Sequence, residues 1–182
     1  AIPGFLTPMR PFLDELSEWA HRDGWEMLSG IPRADEDGKR PLNSVIKIGG
    51  VDSGRLYDKR HLVPFGEYLP AREWLRPVVA AMGIRVADFR DGAAEQALLT
   101  ARGRPIGVSI CYEVAFAREI HRDLPEAELL VNVSNDAWFG DSIGPHQHLQ
   151  LARARARESG RWLARSTNTG ITAIVDFEGN VR

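Results

Sequence analysis

The run Leu129-Leu130-Val131-Asn132-Val133-Ser134 constrains this chain more than any other stretch. It is nearly continuous in apolar residues, and a strand without polar–apolar alternation must be covered on both faces. A second such run, Ile106 to Ile110, precedes it, and the segment Val114 to Ile120 between them has the spacing of an amphipathic helix. Apolar strands interleaved with helices predict an α/β layer fold, a sandwich with helices outside. At 182 residues and 43% hydrophobic content, the chain is long enough for one such core, and one domain is expected.

The remaining elements are read from turn and cap signals. Thr7 with Pro8 predicts a helix start, apolar spacing through Phe12, Leu13, Leu16, Trp19 and Ala20 continues it, and Asp23-Gly24 ends it. Strands are expected over Trp25–Ile31, Asn43–Ile48 and Arg55–Lys59, with the charged stretch Pro32 to Pro41 as a solvated turn. Arg72 to Met82 is a helix interrupted by Pro77. Ala97–Thr100 pairs with Ile106–Ile110, His146–Ser159 forms a helix, and Arg161–Ser166 and Gly170–Asp176 complete the strands.

The only cysteine, Cys111, falls where the strand Ile106–Ile110 ends and a helix begins. There the free backbone N–H groups and the positive end of the helix dipole favour a thiolate, which is how strand-to-helix turns present nucleophiles. The competing reading is a small buried core residue. A nucleophilic cysteine needs a partner, and five histidines are available. His21 and His121 fall among charged neighbours on helices. His146 and His148 flank Gln147 without a cysteine or carboxylate cluster nearby in sequence, a weak metal signal. His61 is the best placed of the five, although nothing around it singles it out. The alternative is a lysine that stabilises thiolate and oxyanion, with a glutamate moving the proton. The irregular stretch Lys59 to Pro70, rich in charges, aromatics and prolines, is where such groups are carried.

Composition narrows the function classes. A formal charge of −2 and a pI near 6.2 argue against a broad nucleic-acid surface. One cysteine forms no internal disulfide, and no apolar run approaches the ~18 residues of a membrane span. The arginines at 153, 155 and 157 spread around their helix and read as solvated charge.

Four segments carry a family resemblance: Tyr57-Asp58-Lys59-Arg60-His61-Leu62-Val63-Pro64-Phe65-Gly66-Glu67-Tyr68, Ile110-Cys111-Tyr112-Glu113, Ser134-Asn135-Asp136-Ala137-Trp138-Phe139-Gly140 and Arg165-Ser166-Thr167-Asn168-Thr169-Gly170-Ile171. They resemble the apolipoprotein N-acyltransferases, a membrane-embedded branch of the nitrilase, or carbon–nitrogen hydrolase, superfamily, and the likeness runs from end to end. It implies an αββα sandwich with mixed sheets and a Glu-Lys-Cys triad. Cys111 matches the nucleophile and Lys59 the lysine that steadies the oxyanion. Glu67 matches a glutamate that orients that lysine, and Glu113 and Tyr112 match residues beside the nucleophile. The Tyr112 backbone N–H is then a second oxyanion donor. Trp138 and Phe139, with Ile143, are expected in a lid meeting acyl chains, a packed turn being the alternative.

The resemblance also implies a ping-pong acyl transfer. A phospholipid ester acylates the cysteine, and the amine of a diacylated apolipoprotein's N-terminal cysteine takes the acyl group. Neither a metal nor an organic cofactor is implied, nor nucleic acid. The implied location is the inner membrane, with this domain facing the periplasm. The family's base glutamate lies just upstream of the segment matching Ala1-Ile2-Pro3, so residues 1–182 are expected to be a catalytic domain cut short at both ends and inactive alone. The alternatives are a soluble nitrilase-type amidase and a non-catalytic binding domain.

Overall fold

The computed structural model describes residues 2–35, 37–81 and 88–182. Glu36, inside the expected charged turn, and Met82, at the expected end of a helix, lie outside the described residues.

Helix α1 spans Leu6–Asp23 and starts earlier than its cap signal suggests. Phe5 takes the N-cap position without a side-chain bond, and the Met9 N–H already closes on the Phe5 carbonyl at 3.2 Å. Thr7 is therefore inside the first turn. Pro8 shares that turn, where a missing N–H costs nothing because those donors have no helical acceptor. The end falls where expected: Gly24 adopts φ 70°, and its N–H donates to the Ala20 carbonyl.

Strands β1 (Met27–Ala34), β2 (Pro41–Ile48) and β3 (Leu56–Asp58) form an antiparallel sheet in that order. β1 runs three residues beyond its expected end, through Pro32. It is an edge strand, where a proline's missing donor is tolerated. The charged turn is also less solvated than expected. Arg33 clasps Asp58 through two nitrogens at 2.9 and 2.6 Å, and the buried Asp35 accepts from the Lys39 and Arg40 N–H groups. Helix α2 (Arg72–Ala81) continues through Pro77 where a break was expected.

Strands β4 (Leu99–Ala101), β5 (Arg104–Ile110), β6 (Leu129–Ser134), β7 (Leu163–Thr167) and β8 (Ala173–Val175) make the second sheet in sequence order. β6 is central and parallel to both neighbours, while the two outer pairings are antiparallel. This placement explains why β6 lacks polar alternation. The helix expected over Val114–Ile120 is instead a 3-10 turn, Cys111–Ala115, followed by helix α3, Ala117–His121, with Phe116 extended between them. Glu113 causes the break. Its carboxylate turns into the protein to accept backbone N–H groups, an orientation that a surface helix does not give.

Helix α4 (Gly144–Ser159) buries His148, Leu149, Ala152 and Ala156. Of its arginines, Arg153 reaches the Gly179 carbonyl at 2.7 Å and Arg155 pairs with Glu158, while Arg157 is solvated as expected.

Three apolar layers stack these elements. Leu13 and Ala20 of α1 pack on Ile31, Ile46 and Ile48 of the first sheet. Val45 and Tyr57 of that sheet meet Leu99, Ile106, Val108 and Ile110 of the second. Leu130, Leu163 and Val175 on the far side are covered by Ile120, Leu149, Ala152 and Ala156. The order is helix, sheet, sheet, helix: an αββα sandwich. Cys111, Asn135 and Asn168 follow the C-terminal ends of β5, β6 and β7, and such strand ends are where α/β sheets place ligands.

Candidate active site

Cys111 sits one residue beyond β5 with φ 51°, a left-handed conformation that is strained for a side chain with a Cβ. Its neighbours hold that shape. The Ile110 N–H donates to Glu113 Oε2 at 2.7 Å, and His148 Nε2 lies 3.1 Å from the Cys111 carbonyl oxygen. Half-buried, Cys111 lines a cavity of about 180 Å³ together with Asn43, Glu67, Ser134, Trp138 and Asn168. A larger cleft of about 520 Å³ opens between Arg60, Gln96 and Asp123 and does not include the cysteine.

Lys59 leaves β3 and is 1% exposed. A buried ammonium requires an anion, and Glu67 supplies it with bonds of 2.9 and 2.7 Å to its two oxygens. Glu67 also accepts from the Val63 N–H and from Asn43 Nδ2, each at 2.8 Å. The irregular stretch after Lys59 is thus a loop wrapped around its own carboxylate. Its start is fixed on both sides of one residue, the Lys59 N–H donating to the Asn43 carbonyl and the Lys59 carbonyl accepting from the Gly92 N–H, both at 2.8 Å.

Glu113 is fully buried and accepts from four donors: the Arg60, His61 and Ile110 N–H groups at 2.6, 3.0 and 2.7 Å, and the Tyr57 hydroxyl. Burial raises its carboxyl above the usual range, and the three N–H groups offset this only in part. Burial, followed by the nearby Glu113 charge, likewise pushes the Tyr57 hydroxyl well up. One side chain therefore fastens the residue before the nucleophile candidate to the two residues after the lysine. Tyr112 packs edge-on against Phe116 at 4.9 Å, and His61 stacks on Phe116 at 3.9 Å. Besides these rings, the His61 N–H meets Glu113 at 3.0 Å and its Nδ1 lies 3.9 Å from Glu119, and none of these contacts is with the sulfur. Trp138, 81% exposed in the 3-10 turn Ala137–Phe139, reaches the cavity, whereas Phe139 lies edge-on to the His148 ring at 5.8 Å.

Sequence reasoning missed a second charged group below the cysteine. Asp136, His148 and Arg165 are all buried, although the sequence shows no cysteine or carboxylate cluster near His148. Folding supplies both. His148 Nδ1 is 2.9 Å from Asp136 Oδ1, Arg165 Nη2 donates to Asp136 Oδ2 at 2.7 Å, and Arg165 Nη1 donates to Asn132 Oδ1. The α4 spacing held a usable signal, since His148 shares the inner face of Leu149, Ala152 and Ala156 while His146 is exposed. His21 and His121 are exposed, as expected. Ligand-type atoms of Cys111, Asp136 and His148 lie within 4.8 Å of one another, a cluster that on donor chemistry alone could hold a metal ion. Arg165 already occupies the carboxylate and would repel such an ion.

A carbon–nitrogen hydrolase family model matches residues 2–182. The chain belongs to that family. Among curated relatives of this carbon–nitrogen hydrolase, the apolipoprotein N-acyltransferase of Methylococcus capsulatus is 48% identical over 98% of the chain and 35% of the relative. The Nitrosomonas europaea protein of the same name is 43% identical over 93% of the chain and 34% of the relative, and that of Pasteurella multocida 37% over 100% and 36%. The chain thus spans about a third of the length of the curated relatives it matches.

Solved structures agree on the fold. An amidase from Nesterenkonia sp. AN1, carrying an acetamide moiety on its active-site cysteine, superposes with a TM-score of 0.66 at 20% identity, covering 95% of this chain and 61% of that one. Nit3 of Saccharomyces cerevisiae gives 0.66 at 17% identity, covering 93% and 58%.

Proposed function

We propose that this carbon–nitrogen hydrolase domain carries the nucleophile of an apolipoprotein N-acyltransferase. The observation that supports this most is 37–48% identity to proteins of that name over 93–100% of the chain. In this reading the Cys111 thiolate attacks the ester carbonyl of a phospholipid, and the carbonyl electrons move onto oxygen. Lys59, paired with and placed by Glu67, meets that charge together with the Tyr112 N–H. Collapse forms a thioester and expels the lysophospholipid alkoxide, which takes a proton. The amine of a diacylglyceryl-modified N-terminal cysteine then attacks the thioester, loses a proton and becomes an amide as the thiolate leaves. Glu113 takes part as a positioning residue, fixing Ile110 relative to Arg60 and His61. Trp138, with Phe139 beside it, offers an apolar wall to the acyl chain, as interfacial aromatics do.

The same reading makes the whole protein a membrane enzyme with this domain facing the periplasm. Among the described residues, no helix is long and apolar enough to cross a membrane. The test uses the full-length protein with a phospholipid labelled in its acyl chain. A label on the Cys111 peptide that neutral hydroxylamine releases, and that Cys111→Ala abolishes, is expected. No phospholipid-derived label, together with hydrolysis of a small amide, would replace the proposal with an amidase.

A further inference from the structure

We infer that Arg165, Asp136 and His148 form a charge-balanced base beneath Cys111: His148 clamps the cysteine carbonyl, and Arg165 cancels a carboxylate that would otherwise oppose the thiolate. The inference rests on the proposal that Cys111 is the nucleophile.

Burying two ions costs several kcal/mol each before pairing, so an Arg–Asp pair at 2.7 Å, both side chains 0% exposed, is an expensive way to fill a core. Its surroundings account for its presence. The three residues come from β7, from the loop after β6 and from α4, and they meet under the cysteine through the parallel pairing of Asn132 with Arg165 and the packing of α4. A carboxylate oxygen of Asp136 lies within 4.8 Å of the Cys111 sulfur. Alone, it would repel a thiolate at that distance. Arg165 neutralises it; burial holds the guanidinium below its usual value, an effect that Asp136 and then Cys111 offset only in part.

The Cys–His–Asp composition suggests a base relay, but the geometry excludes it through the nitrogen nearest the cysteine backbone. His148 Nε2 faces a carbonyl oxygen at 3.1 Å, so it carries a hydrogen and donates there; it has no lone pair for the thiol proton. That bond helps hold Cys111 at its φ of 51°. Nδ1 sits between Asp136 Oδ1 at 2.9 Å and Arg165 Nη2 at 3.0 Å. A metal ion would need these same atoms, and Asp136 Oδ1 is further occupied by the Ser134 hydroxyl at 2.6 Å. Among the described residues, the charged or titratable groups brought towards the sulfur are then Glu67, which lines the same cavity with Lys59 paired to it, Glu113 turned towards backbone N–H groups, and this triplet.

The test is the rate of iodoacetamide alkylation of Cys111 in the full-length protein, followed by the mass of its peptide across a pH series. Asp136→Asn, nearly isosteric, is expected to alkylate several-fold faster at neutral pH, with its profile moved to lower pH. Arg165→Gln is expected to slow alkylation roughly tenfold, the effect of one uncompensated charge at that distance. The double variant Asp136→Asn/Arg165→Gln is expected to recover most of that loss, which a purely structural role for Arg165 would not produce. Unchanged or slower alkylation in Asp136→Asn overturns the inference even if Arg165→Gln does not fold, and so does a double variant as slow as Arg165→Gln. A wild-type Cys111 no more reactive than a free thiol would instead overturn the nucleophile proposal on which this one rests.

Discussion

Replacing Glu67 with Gln tests the electrostatic logic of the site at a single oxygen. Glu67 Oε2 accepts from the Val63 N–H, a donor that cannot turn away, whereas Oε1 accepts from Asn43 Nδ2, which can flip to present its own oxygen. The new amide will therefore keep its oxygen at the Oε2 position and direct its NH₂ towards Asn43. Lys59 Nζ then retains the 2.7 Å contact, loses the 2.9 Å contact to an opposing donor, and loses its counter-ion while 1% exposed. Removing one partner of a buried pair costs roughly 3–5 kcal/mol, and the surviving bond returns about 1 of that, leaving about 3 kcal/mol. Urea unfolding followed by tryptophan fluorescence measures it. With a slope of about 2 kcal/mol/M, the midpoint falls by about 1.5 M. Lys59→Met should cost less, because the Glu67 side chain is 13% exposed and keeps its Val63 and Asn43 donors. In that background Glu67→Gln should cost only about 1 kcal/mol, a coupling of about 2 kcal/mol. A midpoint shift below about 0.3 M for Glu67→Gln alone, or additive single and double costs, would refute the reasoning.

Three further outcomes are expected. Cys111→Gly should melt above Cys111→Ala by about 1 kcal/mol, since only glycine adopts φ 51° without strain; thermal unfolding of the two variants compares them directly. Gly92→Ala should destabilise by about 1–3 kcal/mol, because its Cβ would stand 2.6 Å from the Asp58 carbonyl oxygen, next to the point where Lys59 leaves its strand; urea unfolding reads this. The Arg102 N–H and then the Lys47 ammonium hold Glu26 below the usual carboxylate range, so its contribution is present above about pH 4.3 and is lost as pH falls through the lowered folded value. Stability measured from pH 7 to pH 3 should therefore fall less steeply in Glu26→Gln.

What the sequence disclosed depends on how local each determinant is. The bounds of β6 could be read directly because burial on both faces writes an unbroken apolar run, and Gly24 marks its helix end because few other residues take φ 70° cheaply. Lys59, Glu67 and Cys111 were legible as a set only through family resemblance. The ion pair that joins Lys59 to Glu67 closes a loop of irregular sequence that has no period to read. The β1 extension through Pro32 was hidden because proline is a breaker everywhere except at an edge, and edge position is a property of the finished sheet.

Charges were misread for the same reason. Arg165 stands in β7, and a lone arginine in a short strand carries no mark of burial in its own sequence. Only its pairing opposite Asn132 on a central strand puts it inside, and only the turn after β6 brings Asp136 to meet it. Glu113 is the clearest case. The spacing of Val114 to Ile120 predicts one continuous helix after Cys111, yet the Glu113 carboxylate, satisfied by three backbone N–H groups from two segments, gains more by turning inward than by extending that helix. The inward turn breaks the helix after one 3-10 turn and, by the same bonds, ties the cysteine of the second sheet to the lysine of the first. The two halves of the proposed site are thus registered by Glu113, a side chain that does not line the cavity, so the sandwich must assemble before the cysteine has its partner.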